Sequence, residues 1–365
     1  AGANQAVTVT PAPGGVDISH TDANSLATKA GGTVTATIVD TTTVDQLVTL
    51  RTPNGSDNEV NAYTITIANG DATGSTAAEF NTINSATSEA INASAVTALS
   101  GTASDIATLM LAATDAAQFT GTSFDSVAAN GLSITGTAID VTDLNNAISR
   151  TNTVSDNTVL ATFASAQGDI TVNGGTATEF DSLLTLEGQS KVTITGLNLT
   201  VDGSTVSVTQ ANNLTGTTSG TVTATLTSGA VADLTDLDED TDNNAALSIT
   251  ITDTSASAAD LNTINAATTQ AVDITSVETI PSSSVTALNL FANAIIAGGH
   301  FTNTGGLTNI TSVTVACAPL EPPVKTMPGA TNPKNSPCAS AASENVSTFK
   351  ISEVDEYDPD NGVLL

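Results

Sequence analysis

Residues 76–84 read TAAEFNTIN, and residues 257–265 read SAADLNTIN, at an offset of 181 residues. Two further pairs of segments occur in the same order along the chain: GTVTATIV at 32–39 with GTVTATLT at 220–227, and AYTITIAN at 62–69 with ALSITITD at 246–253. Three matching blocks in one order indicate a duplicated unit of about 180–190 residues, so internal repetition decides the architecture.

A shorter repeat lies inside this unit and combines two kinds of segment. Runs such as 34–38 alternate Val, Ala or Ile with Thr, which predicts strands with one apolar face and one face lined by threonine. In residues 255–264, Leu261 and Ile264 lie three residues apart behind serines that can cap a helix, which predicts a short helical turn. Such a turn cannot bury its apolar side alone, but it can when it stacks on the next turn.

This pattern predicts a mainly β protein, an elongated β-solenoid-like stack of coils that each contain a strand and a short helix. Tandem β-sandwich domains are the alternative, although such modules repeat every ~100 residues and lack regular helical turns. The expected organisation is an extended N-terminal arm at 1–15, a repetitive solenoid at 16–316 that is duplicated as about 16–200 and 201–316, and a Pro-rich, disulfide-closed C-terminal segment with an acidic tail at 317–365.

The charge of the chain is strongly acidic. Seven Lys and Arg residues face 37 Asp and Glu residues, for a net charge of −30, and residues 192–324 contain no Lys or Arg. Nucleic acid binding needs cations that replace phosphate counterions, so we expect no nucleic acid partner. We expect no membrane insertion either, because the sequence has no stretch of about 18 apolar residues. The chain begins with Ala1 rather than Met, and both a mature form after signal cleavage and a fragment stay open.

The sequence carries no recognisable catalytic motif, and we expect that the protein is not an enzyme. Its two histidines, His20 and His300, lie far apart in the sequence, and neither has a cysteine or a second histidine nearby. Nucleophile, zinc-protease, P-loop and dinucleotide signatures are absent. A polysaccharide lyase on a β-helix would combine carboxylates with basic and aromatic residues, which are scarce here.

The repeats resemble those of the very large repetitive Ala/Thr/Ser/Asp-rich surface and secreted proteins of marine cyanobacteria and related structural proteins of their phages. The features that carry the resemblance are the alternating Thr-Val/Ile strands, the Ala-Asp/Glu-Leu-Asn-x-Ile turns and VTALSGTASDI at 96–106, over about residues 16–316. The resemblance implies a secreted or cell-surface structural protein, the subunit of a surface layer or filament that assembles from copies of itself. The alternative is an adhesin or a phage fibre or other virion protein that binds a surface polysaccharide.

Calcium is the one cofactor for which the sequence offers ligands. Asp236, Asp238 and Asp240 have the alternate spacing of oxygen ligands in calcium loops, and Asp242 follows them. However, Thr241 stands where an EF-hand needs glycine, and Leu247 replaces its bidentate glutamate. A calcium site of looser geometry and a solvated acidic loop therefore both stay open.

The two ends of the chain are the expected assembly contacts. Residues 1–15 contain a short Val/Thr strand that would bury Val7 and Val9 if it paired with a sheet edge of a neighbouring subunit. At the other end, three of the seven cations could meet the acidic repeats of another copy, and these are Lys325, Lys334 and Lys350.

We predict a disulfide between Cys317 and Cys338, which would close a loop in the segment that holds six of the eleven prolines. A disulfide implies an oxidising compartment. Peptide mass spectrometry of non-reduced extracellular protein should recover the linked pair, and two free thiols there would contradict this prediction.

Overall fold

The computed structural model describes residues 5–10, 17–39, 41–52, 60–68, 75–155, 157–297, 300–302, 310–316, 346–349, 357–358 and 363–364. The chain divides into two compact units, Ala1–Thr200 and Val201–Leu365. Both units alternate helices with strands along most of their length.

The first unit contains six described helices. Its elements in chain order are β1 (Gln5–Thr8), α1 (His20–Ala30), β2 (Gly31–Thr37), α2 (Val44–Leu47), β3 (Ala62–Thr64), α3 (Ala77–Ser85), β4 (Leu99–Thr102), α4 (Ala103–Ala113), β5 (Leu132–Thr135), β6 (Ala138–Asp140), α5 (Val141–Val154), β7 (Ala161–Phe163), β8 (Thr171–Gly175) and α6 (Ala177–Gly188). Strand β9 (Asn198–Val206) includes the division between the units.

The second unit contains four described helices and ends in short strands. Its elements are α7 (Val208–Thr217), β10 (Val222–Leu226), α8 (Val231–Leu234), β11 (Ala245–Ser248), α9 (Ala258–Ala266), β12 (Val272–Asp273), β13 (Thr279–Ser284), α10 (Val285–Ala297), β14 (Phe301–Thr302), β15 (Ser312–Ala316), β16 (Val346–Phe349), β17 (Tyr357–Asp358) and β18 (Val363–Leu364).

Strands pair in parallel with strands of the next stretch of chain. In the first unit β2 lies between β1 and β3, β5 lies between β4 and β7, and β6 pairs with β8. In the second unit the parallel pairs are β10 with β11, β12 with β14 and β13 with β15. Parallel strands need a crossover between them, and here the crossovers carry the helices. Antiparallel pairing occurs only near the C-terminus in these described strands, between β15 and β16 and between β17 and β18.

Neighbouring helices pack on one another within each unit. α3 contacts α4, α4 contacts α5 and α5 contacts α6, and in the second unit α9 contacts both α8 and α10. The core lies between these helices and the strands, and it consists mainly of Val, Ile, Leu and Ala. Three of its largest side chains form an aromatic cluster in the first unit, where the rings of Phe80 and Phe124 meet edge to face at 5.5 Å and Phe119 lies 5.3 Å from Phe124.

The sequence duplication corresponds to a duplication of elements. The series α1, β2, α2, β3, α3 of the first unit recurs as α7, β10, α8, β11, α9 in the second. α2 and α8 are both four residues long, and α3 and α9 are both nine residues long.

The prediction of a mainly β protein is wrong. The chain is mixed α/β, with 35% of its residues in helices and 28% in strands, and its parallel sheets are not closed. The Thr or Ser that precedes Ala-Glu-Phe-Asn at 78–81 and Ala-Asp-Leu-Asn at 259–262 starts a helix of nine residues rather than one turn. The alternating Thr/Val runs, which dominated the prediction, form strands of only three to seven residues in β2, β3 and β10. The sandwich alternative fails as well, because sandwiches are built from antiparallel sheets.

The aromatic cluster yields a stability prediction. Phe80→Ala should lower the free energy of unfolding by about 3–5 kcal/mol, because it removes a fully buried ring and leaves a cavity. Denaturant unfolding followed by circular dichroism measures this change. Leu111→Ala is the control, because Leu111 of α4 is 55% exposed, and a surface change of this kind should stay within about 0.5 kcal/mol. Equal effects of the two substitutions would contradict the assigned core.

Candidate functional site: the asparagine ladder

The helices begin at a recurrent pair of polar side chains. In α3 the N-cap Thr76 accepts a hydrogen bond at Oγ1 from the backbone N–H of Glu79, and Glu79 Oε2 accepts one from the backbone N–H of Thr76. The same capping box starts α2, α6 and α7. It satisfies two backbone donors that the helix itself leaves unpaired, so each helix begins at a defined residue.

Five helices carry an asparagine five residues after the N-cap, and its side chain binds the following helix region. Each Nδ2 donates to a backbone carbonyl at 2.8–3.0 Å: Asn24 to Thr49, Asn81 to Asp105, Asn145 to Glu179, Asn212 to Asp236 and Asn262 to Ala287. We call these five residues the asparagine ladder. The ladder connects α1 to the segment after α2, α3 to α4, α5 to α6, α7 to the segment after α8, and α9 to α10.

The ladder is conserved between the two halves of the duplication down to the individual bond. Asn24 Oδ1 accepts from the N–H of Arg51 at 2.8 Å, and Asn212 Oδ1 accepts from the N–H of Asp238 at 3.1 Å. Both amides therefore bridge a carbonyl and an N–H two residues further on. Asn81, Asn145 and Asn262 differ, because the residue two positions after each bonded carbonyl lies inside the following helix, where its N–H serves that helix. Asn145 Oδ1 is accordingly buried without a hydrogen-bond partner in the described structure.

A second set of side chains replaces strand hydrogen bonds in the interior. The Thr87 hydroxyl accepts from the N–H of Tyr63 and donates to its carbonyl, both at 2.8 Å. In the second unit, the Thr268 hydroxyl accepts from the N–H of Leu247 at 3.0 Å and donates to its carbonyl at 2.7 Å. Both threonines are buried, so each hydroxyl satisfies a backbone pair that would otherwise be unpaired in the core.

Two of the shifted pKa values of the first unit reflect the burial of one side chain and the hydrogen bonds of another. Burial raises the pKa of Tyr63 to about 12, and the nearby Arg51 opposes the rise. Tyr63 is therefore neutral at physiological pH, where its hydroxyl donates to the carbonyl of Ala23. Hydrogen bonds from the Thr142 hydroxyl and from the backbone and hydroxyl of Thr176 lower the pKa of Glu179. The hydroxyl of Tyr63 and the carboxylate of Glu179 are thus both used in hydrogen bonds within the chain.

The four aspartates of the possible calcium site are not gathered into one cluster of ligands. Within the described part of the chain, no group of three or more His, Cys, Asp or Glu side chains is arranged to hold a metal ion. Asp240 instead closes its own loop, where its carboxylate accepts from the N–H groups of Asn244 and Ala245. The backbone groups of Asp236 and Asp238 bind Asn212 of the ladder. Asp242 is exposed beside this loop.

The predicted N-terminal arm pairs within its own chain. Val7 of β1 lies opposite Val34 of β2, and the N–H of Val9 donates to the carbonyl of Thr35 at 2.8 Å. The strand edge that we expected a neighbouring subunit to supply is thus supplied by β2, although Val7 and Val9 stay partly exposed.

Several other predicted residues lie outside the described residues. They are the two cysteines of the predicted disulfide, Cys317 and Cys338, and the three lysines of the predicted assembly contact, Lys325, Lys334 and Lys350.

A shallow, open depression lies beside α1. It is lined by polar groups of α1, among them His20, Asn24 and Lys29, and by Thr49. Asn24 and Thr49 are the first bonded pair of the ladder, so this depression is the surface of that junction rather than an enclosed pocket.

Comparisons with family models, with curated proteins and with solved structures give no match. The helices of the described residues include none that is both long and apolar enough to cross a membrane.

Sequence analysis noticed the Asp/Glu-Leu-Asn motif but assigned no role to its asparagine. The signal that could have identified the ladder is the fixed distance of five residues between a Ser, Thr or Asp N-cap and an Asn, which recurs at Ser19, Thr76, Asp140, Ser207 and Ser257.

Two adjacent asparagines of α7 test the ladder. Asn212→Ala removes the hydrogen bonds to Asp236 and Asp238, and it should lower the free energy of unfolding by about 1–2 kcal/mol. Asn213→Ala is the matched control, because Asn213 is exposed and next to Asn212 in the same helix. Its effect should stay within about 0.5 kcal/mol. Denaturant titrations that give the same midpoint for both variants would show that the ladder bond contributes nothing.

Proposed function

We propose that the protein is an extracellular structural protein, a subunit that assembles with copies of itself into a surface layer or filament. The observation that carries this proposal is the asparagine ladder, which repeats with the same donors and acceptors in both halves of the duplication. In this proposal the chain has no catalytic role.

The use of the polar side chains supports a scaffold function. The asparagines of the helices, the buried threonines and the capping carboxylates each bind backbone groups of the chain itself. Side chains that are held in this way fix the spacing of neighbouring helices and strands. A repeated unit whose neighbours are joined by the same bonds forms a stiff body that further units can extend.

The charge is consistent with a role in a saline exterior. A net charge of −30 makes copies repel one another in dilute buffer. High ionic strength shortens the screening length to about 3 Å at 1 M salt, so acidic surfaces can approach closely there. The resemblance to cyanobacterial surface proteins points to the same environment.

The alternative of a glycan-binding adhesin or phage fibre ranks second because of the aromatic residues. Aromatic rings that stack on sugars must be exposed, whereas five rings of the described structure are fully buried, namely Tyr63, Phe80, Phe119, Phe124 and Phe180. Phe163 and Phe301 are partly exposed.

Electron microscopy of the purified full chain tests the proposed function. We expect monomers at low salt and regular polymers or sheets at seawater-like salt, because screening removes the repulsion between copies. Cells labelled with a specific antibody should carry the protein on their outer surface. A chain that stays monomeric at every salt concentration, with no surface labelling, would contradict the proposal.

A further inference from the structure

Helix α10, the last helix in the described part of the chain, occupies the place that α4 has in the first unit. Thr102 and Ser284 precede the two helices, and their hydroxyls accept hydrogen bonds from the N–H groups of Asp105 and Ala287. The carbonyls of the same two residues accept the ladder bonds from α3 and α9. The environment of α4 therefore shows what a helix in this position packs against.

In the first unit, α5 packs on α4. Ala103, Ala107 and Met110 lie one, five and eight residues after the N-cap of α4, on one side of the helix, and all three are buried. Arg150 of α5 reaches across this side, where its guanidinium donates to the carbonyl of Ala107 at 2.7 Å. Arg150 itself lies ten residues after the N-cap of α5.

The equivalent side of α10 is open. We call Val285, Asn289 and Ala292 its trailing face, because they have the same distances from Ser284. Val285 is 48% exposed, Asn289 is exposed and Ala292 is partly exposed. The next residue, Leu290, lies six residues after Ser284 and is 58% exposed. At this distance from the N-cap, every other described helix of nine or more residues has a polar residue: Ser25, Thr82, Thr108, Asn146, Ser182, Asn213 and Thr263.

Asn289 also stands at the ladder position, five residues after Ser284. The five ladder asparagines each bind a carbonyl in the chain that follows, whereas the described residues contain no hydrogen bond to the Asn289 side chain. The offset between α4 and α10 is the distance from Thr102 to Ser284, and at this offset α5 corresponds to the segment Pro319–Pro337. This segment holds six of the eleven prolines and lacks the Asp-Leu-Asn motif. Proline is unsuited to a helix interior, so the sequence offers no second copy of α5.

Helix α1 carries the matching side. We call Asp22, Leu26 and Lys29 its leading face, and they lie three, seven and ten residues after the N-cap Ser19. Lys29 thus has the position of Arg150, in a chain with only seven cations. Leu26 is partly exposed, whereas the residue at its position is buried in the other long helices of the first unit: Ile83, Leu109, Ala147 and Leu183.

We propose that the trailing face of α10 binds the leading face of α1 of a second copy, in the way that α4 binds α5. In this contact Asn289 donates to the carbonyl of Asp22, and Lys29 donates to the carbonyl of Asn289. Val285 and Leu26 become buried. Two different faces meet, so one trailing face and one leading face stay open at the ends, and copies add into a filament unless the rotation between them closes a ring. This inference rests on the proposed function and names its subunit contact.

Two charge substitutions in the full chain test the contact by sedimentation velocity at high salt. Val285→Asp places a carboxylate in the trailing face, and Lys29→Glu reverses the charge of the leading face. Each should weaken self-association more than about tenfold, because an unpaired charge is desolvated at the interface. Leu111→Asp is the matched control, since it gives another exposed aliphatic residue the same change, and it should assemble like the unchanged protein. Circular dichroism verifies that all variants fold.

A mixture of the two variants gives the decisive result. Val285→Asp keeps an intact leading face and Lys29→Glu keeps an intact trailing face, so together they should form heterodimers that grow no further. Polymers of both single variants with the stability of the unchanged protein would overturn the contact while leaving the proposed function in place. A mixture that stays monomeric would also overturn it. If the unchanged protein never associates, both the contact and the proposed function are wrong.

Discussion

The hydrogen bond from an asparagine amide to a backbone carbonyl of the following segment is the interaction on which the arrangement of the helices depends. The core has no tryptophan and only 3% of all residues are aromatic, so it is built from small aliphatic side chains. Such side chains drive burial but are not directional, and they tolerate small shifts of one helix along another. A hydrogen bond of 2.8–3.0 Å from an asparagine amide to a backbone carbonyl fixes the position of one helix along the other. Because each of these asparagines lies five residues after its N-cap, the residue at which one helix begins sets the position of the next helix.

The need of buried backbone groups for hydrogen-bond partners explains why a chain so rich in Thr, Ser and Asn has a defined core. Short parallel strands at the edge of a sheet leave backbone groups unpaired, and burial of such groups is costly. Hydroxyls from Thr87 and Thr268 supply the missing donor and acceptor at equivalent places in the two units. The capping boxes do the same for the helix N-termini. Polar residues such as Thr87 and Thr268 therefore belong to the interior, because they bind backbone groups there.

Sequence reasoning found the duplication but assigned the wrong class. The repeated blocks could be aligned by eye, and the strand at Val34 and the helix at Leu261 lie where their patterns predicted them. The extent of the helices could not be predicted, since a short amphipathic turn and the first turn of a 14-residue helix look alike. Thr is favoured both in strands and at N-caps, and the acidic or Gln residue three positions later, such as Glu79 or Asp105, separates the two roles. The acidic loop stayed open between calcium binding and solvation, because a carboxylate such as that of Asp240 can also accept from backbone N–H groups, a use that ligand spacing alone does not distinguish from metal binding.

In the proposed assembly, the acidic charge pushes copies apart, whereas hydrogen bonds like those of the ladder hold them together. Inside the chain, covalent connection keeps successive helices together, although like charges on them still destabilise the compact state. Between copies only contacts oppose the repulsion, and a charge of −30 makes long-range encounter unfavourable at low salt. A junction that depends on hydrogen bonds to backbone carbonyls and on aliphatic burial is suited to this situation, because neither contribution weakens when salt screens the charges. The few cations would be best placed where they meet a carbonyl, as Arg150 does at Ala107, rather than spread over a surface that solvent already stabilises.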